Sequence, residues 1–90
     1  MTVKIKNIEY PIRPTMWALL AFHREKGKFV SDLKKTDLED LLYYTWLCVK
    51  GACTQDNKMF EISFEDYITF VEGDPTEALM AAKLAEIKKK

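Results

Sequence analysis

The chain has 90 residues, of which 48% are apolar and 31% charged, with 14 basic side chains against 14 acidic ones. That length suits one small domain burying somewhat over ~60% of its unfolded surface, too little for a deep catalytic cleft, and the composition is that of a folded chain rather than a disordered one. Zero net charge counts against a nucleic-acid footprint, and no apolar run approaches the ~18–20 residues that span a bilayer, so neither nucleic acid nor membrane is an expected partner.

The opening M-T-V-K-I-K lacks the apolar core of a signal peptide, which leads to the expectation of a cytoplasmic protein. Residues 2–12 alternate and are rich in β-formers: Val3 and Ile5 share a face, Asn7 sits at a turn, and Ile8, Tyr10 and Ile12 follow on a second arm. This predicts a small β-hairpin, with Pro11 on an outward edge because it cannot donate to a ladder. Thr15 is a natural cap for a helix over 15–26, closed by Gly27, with Arg24 and Lys26 at the negative end of the dipole. Met16, Leu19, Leu20, Phe22 and His23 share one arc of it. His23, the one histidine, has no second ligand or nucleophile beside it in the pattern and reads as a helix-end side chain.

Phe29, Val30 and Leu33 form a linker expected to plug the core, and the central element follows over 36–53. It opens on T-x-x-E, a capping box in which Thr36 and Glu39 satisfy each other's amides. At about 100° per residue, Leu38, Leu41, Leu42, Thr45, Cys48, Val49, Ala52 and Cys53 fall in one apolar arc. Glu39, Asp40 and Lys50 lie opposite, yet Tyr43 and Leu47 stand among these charges with Trp46 at the border. Cys48 and Cys53 lie about 140° apart around the axis and cannot bridge, so both read as small buried hydrophobes.

A polar turn at 54–57 precedes Met59-Phe60-Glu61-Ile62, an extended piece that could add a third strand. Ser63 caps a helix over 63–72 with Asp66 as its partner, and Phe64, Tyr67, Ile68 and Val71 form its stripe. Asp74, Pro75 and Glu77 open a last helix over 75–90, with Met80, Leu84 and Ile87 on one face, Ala78, Ala81, Ala82 and Ala85 on another, and a basic tail, Lys88-Lys89-Lys90. The fold expected is mainly α, formally α+β: an N-terminal hairpin packed on a bundle of about four helices around helix 36–53. Residues 1–74 make one globular domain, on which 75–90 either packs or from which it extends.

No G-x-G-x-x-G, P-loop, G-x-S-x-G or metal-ligand spacing occurs. The carboxylates Glu39, Asp40, Glu61, Glu65 and Asp66 sit at helix starts, where they favour the dipole. The pattern offers no catalytic, cofactor-binding or metal residue, and predicts a protein that is not an enzyme. The apolar side chains set among charges, Tyr43, Trp46 and Leu47, together with Trp17, are candidates for partner binding, since aromatic residues are enriched at interface hot spots. Met80, Leu84 and Ile87 join them if the last helix reaches outward.

A hairpin ending in E-Y-P-I-R-P-T, then M-x-A-L-L-x-F-x-R-E-x-G-K, S-D-L, L-E-D-L-L-Y-Y, C-V-K-x-A-C and F-E-I-S-F-E-D-Y, follow one another over roughly residues 5–72. This order resembles the short tail assembly chaperones of long-tailed bacteriophages and prophages. The resemblance implies a small helical protein without catalysis that self-associates and coats the tape measure protein while tail tube subunits assemble. It implies a cytoplasmic protein of the host bacterial cell, absent from the mature virion, with the tape measure protein and the tail tube protein as partners. It also implies that a longer form could arise by frameshifting near the lysine tail. The competing reading is another phage structural protein, such as a head–tail connector or tail completion protein, which would stay in the particle.

Overall fold

A computed structural model describes residues 2–34, 36–73 and 75. Strand β1 (Thr2–Ile5) turns through Lys6 and Asn7 into β2 (Ile8–Pro11). Both turn residues have positive φ, 53° and 67°, the requirement of a two-residue type I′ hairpin, whose twist matches that of its strands. The pairing runs Ile5 with Ile8 to Thr2 with Pro11. In such a ladder alternate pairs are hydrogen-bonded, starting with the pair beside the turn. Pro11 therefore falls where the backbone faces outward, and its missing N–H blunts the open edge of β2.

Helix α1 (Met16–Lys26) starts as expected: the Thr15 hydroxyl accepts from the Ala18 amide at 3.0 Å. It stops at Gly27, which takes φ 70° and donates to the His23 carbonyl at 2.8 Å. A short 3₁₀ turn, Val30–Asp32, follows. Val30 and Leu33 enter the core, whereas Phe29 stays outside and lies against His23, ring centres 4.5 Å apart.

Helix α2 (Leu38–Gln55) runs through the middle of the molecule. The capping box does not form. Residues 34 and 37 close a turn on themselves, the Asp37 amide donating to the Lys34 carbonyl and the Lys34 amide to the Asp37 carboxylate, each at 2.9 Å. Asp37 thereby takes the N-cap position without capping, and Thr36 is left exposed before it. Leu38, placed in the core arc by periodicity, is also exposed at this end.

Helix α3 (Phe64–Phe70) has the expected Ser63 cap, which accepts from the Asp66 amide at 3.2 Å. It is shorter than 63–72, because Val71–Glu72 leaves the helix as β3 and pairs antiparallel with β1, Ile5 opposite Val71 and Lys4 opposite Glu72. The sheet order is β2-β1-β3. The third strand is thus not Met59–Ile62; that segment spends its Ile62 carbonyl on the Trp46 indole N–H, at 2.9 Å. The described residues form an α+β fold of a three-stranded antiparallel sheet and three α-helices, not a four-helix bundle. Of the helix expected over 75–90, only Pro75 is described, and Met80, Leu84 and Ile87 lie outside the described residues.

The core lies where α2 meets the sheet, α1 and α3. Ile5, Ile12, Phe22, Thr45, Cys48, Val49, Cys53 and Tyr67 are its largest fully enclosed side chains. Both cysteines are buried free thiols.

Candidate docking surface

Helix α2 is more deeply covered than its hydrophobic arc implies. Tyr44 meets Phe22 of α1 edge-on at 5.9 Å. About two turns further on the same flank, Gly51 lets α1 close in: a methyl group there would come within 2.7 Å of Thr15 Oγ1 and 3.3 Å of the Trp17 ring. Leu47 lies between these two contacts, three residues after Tyr44 and four before Gly51, and is 3% exposed. Leu47 is therefore core, correcting the expectation that it sits on an exposed face. The reason is a second packing partner: α1 covers a flank that periodicity assigns to solvent.

Tyr43 and Trp46 are half-buried. Phe64 packs edge-on against Tyr43 at 5.3 Å and against Trp46 at 5.9 Å. The ammonium groups of Lys26 and Lys50 lie over the Tyr43 and Trp46 rings, at 4.8 and 5.2 Å from the centroids. The Phe64 contacts and the Trp46–Ile62 hydrogen bond fasten the start of α3 and the segment before it to α2. Much of the surface of both side chains is already used inside the chain.

Trp17 has a different setting. It is 47% exposed, and beside it on α1 stand Met16 at 72%, Leu20 at 49% and Leu19 at 40%. Ala18 and Phe22 are the residues that α1 buries. The stripe Met16, Leu19, Leu20, His23, at the i, i+3, i+4, i+7 spacing that normally marks a core face, therefore points outward. Phe29, stacked on His23, extends it beyond the helix end. At the other end, Thr15, Met16, Trp17, Gly51, Thr54 and Gln55 line an open groove of about 400 Å³. Four large apolar side chains within about one and a half turns form an exposed patch, the feature that marks interaction sites on soluble proteins.

The charges that α1 itself carries beside this stripe are basic. The first turn of α1 has no acidic residue and its last turn carries His23, Arg24 and Lys26. Glu25 lies on the other side of the helix, where its charge and burial together raise the pKa of Tyr43, burial being the larger cause. Lys26 and Lys28 converge on Asp40, at 3.5 and 2.6 Å, and the Lys28 hydrogen bond holds that carboxyl below its ordinary range. Arg13 is engaged by Asp56 and Gln55 at the end of α2. Arg24 is left as the exposed cation beside the stripe.

Among the described residues, no group of three or more His, Cys, Asp or Glu is placed to hold a metal ion, and no helix is long and apolar enough to cross a membrane. What the arrangement offers is an exposed apolar helix face beside an open groove. Periodicity found Trp17 and the shared arc but assigned no docking role to Met16, Leu19 or Leu20. The signal was present in the composition of α1, which is apolar on both sides: Ala18 and Phe22 serve the core, and the other apolar arc, Met16, Leu19 and Leu20, stays exposed.

The chain matches no family model, no curated protein and no solved structure.

Proposed function

We propose that this protein is a tail assembly chaperone of a long-tailed phage or prophage, a protein without catalysis that binds the tape measure protein through the outer face of α1 and self-associates. The observation that carries the reading is the outward stripe of Met16, Leu19 and Leu20 flanked by Trp17. A tape measure protein is long, helical and apolar in stretches, and an exposed apolar helix face beside a groove is a surface that takes amphipathic helices. The order of motifs over residues 5–72 supports the same reading. On this reading the protein acts in the cytoplasm of the host cell during assembly and is absent from the finished particle.

The test is co-expression with the tape measure protein encoded nearby, followed by protein analysis of purified virions. Co-purification with the tape measure protein and absence from virions are the expected outcomes. Recovery of the chain in stoichiometric amount from mature particles would replace the chaperone by a connector or tail completion protein. Light scattering across a hundredfold range of concentration, roughly spanning the ~1–100 μM in which weak assemblies form, is expected to show an oligomer that grows with concentration.

A further inference from the structure

We infer that the outer face of α1 is built for one amphipathic helix of a partner, with its apolar stripe flanked by carboxylates, rather than for a second copy of this chain. The inference rests on the reading of this face as the partner site and names the chemistry of what it takes.

The size of the face comes first. Eleven residues of helix measure about 16 Å, so an exposed stripe one helix wide covers roughly 200 Å² in plan. A stable dimer buries about 800 Å² per partner. The face is too small for a dimer by itself and the right length for three turns of one helix. The groove between Trp17 and the end of α2 adds a seat for one bulky apolar side chain at the Met16 end.

Charge then selects the occupant. The Met16 end is the positive end of the helix dipole with no acidic residue in its first turn, and the far end carries Arg24 and His23. Two copies packed antiparallel would set Arg24 of each against the positive helix start of the other; packed parallel, they would set both basic ends together. In neither arrangement does α1 bring an acid of its own to the seam, because Glu25 lies on the opposite side; Asp40 of α2 is already held by Lys26 and Lys28, and Asp56 by Arg13. A helix with Asp or Glu beside its apolar stripe meets favourable charge at both ends.

The probes are two labelled synthetic peptides of about 18 residues, long enough to form a helix. They share one leucine stripe and carry either glutamates or lysines on its flanks. Binding to the full chain is read by fluorescence anisotropy at about 0.05 M and about 0.3 M salt, between which screening changes strongly. The glutamate peptide is expected to bind at least ~10-fold more tightly than the lysine peptide, and more weakly at the higher salt. Leu20→Glu is expected to weaken it at least ~10-fold, and Arg24→Glu by ~3–10-fold with most of the salt dependence lost. Both side chains are exposed, so melting temperatures of the variants should match the parent and confirm that binding alone has changed.

Equal binding of the two peptides overturns the charge argument, and binding unaffected by Leu20→Glu overturns the assignment of the face. Failure of both peptides overturns the inference, and two further readouts then name the occupant. If Leu20→Glu turns an oligomer into a monomer, the face belongs to a second copy. If Leu84→Glu lets the glutamate peptide bind, it belongs to residues 76–90. The chaperone reading fails separately: glutamate-peptide binding without retention of the tape measure protein leaves this inference standing, whereas full retention by the Leu20→Glu variant removes it and leaves the chaperone.

Discussion

Thr45 and Tyr67 are the buried polar pair at the centre of the core. The Thr45 hydroxyl donates to the Leu42 carbonyl at 2.8 Å, so its single proton is used, and the Tyr67 O–H must donate to Thr45 Oγ1, also at 2.8 Å. The two halves of this pair differ in what their loss leaves behind. Thr45→Val strands a buried phenol and is expected to cost about 1–3 kcal/mol in denaturant unfolding, whereas Tyr67→Phe leaves Thr45 bonded to Leu42 and costs about 1 kcal/mol. Burial pushes the Tyr67 pKa up to about 12. A phenol held neutral in the folded chain contributes stability that is whole below the unfolded pKa near 10 and is lost as pH rises through about 12. Unfolding midpoints should therefore fall more steeply between about pH 10 and 12 in the parent than in Tyr67→Phe. Periodicity placed both residues on inward arcs; the direction of their hydrogen bond needed the two helices side by side.

At the scale of elements, local chemistry was legible where one stretch of chain settles the matter alone. The Lys6-Asn7 turn, the Thr15 and Ser63 caps and the Gly27 stop each involve residues within four positions of one another. Thr36 shows the limit: its T-x-x-E pattern is intact, but the turn closed between Lys34 and Asp37 competes for the same backbone and wins. Thr36→Ala is accordingly expected to shift stability by less than about 0.5 kcal/mol in thermal or denaturant unfolding, against the ~1 kcal/mol that loss of a working cap costs. The end of α3 shows the converse. Its stripe continues through Val71, but the unpaired side of β1 offers Val71 and Glu72 ladder bonds, and the chain leaves the helix to take them.

For the whole molecule, the decisive fact is that α2 is packed from several sides, leaving only its end residues Leu38 and Gln55, with Glu39, Lys50 and Thr54, exposed. Leu47→Glu, which on periodicity alone would probe a surface, is expected to cost about 3 kcal/mol or more by burying an unpaired carboxylate, and to appear as loss of folded protein rather than loss of binding. Circular dichroism separates the two, and a Leu47→Glu chain with the parent's melting temperature would contradict the packing of α1 on α2. The proposed binding surface moves accordingly from α2 to α1, where Met16, Trp17, Leu19 and Leu20 are exposed.

The sequence by itself determined the hairpin, the three helices with most of their ends, the burial of both cysteines and the presence of more apolar surface than one core can use. These follow from periods of two and 3.6 and from side chains acting on backbone a few residues away. Only the tertiary structure decided which apolar arc stays outside. On α1 two arcs compete: Ala18 and Phe22 are buried, Phe22 against Tyr44, while Thr15 and Trp17 close on Gly51 of α2, so the larger stripe of Met16, Leu19 and Leu20 is turned to solvent. A helix has one axis and cannot press both arcs into a single core; which of them packs depends on the shape of a neighbour more than twenty residues away, and spacing within the helix carries no record of it.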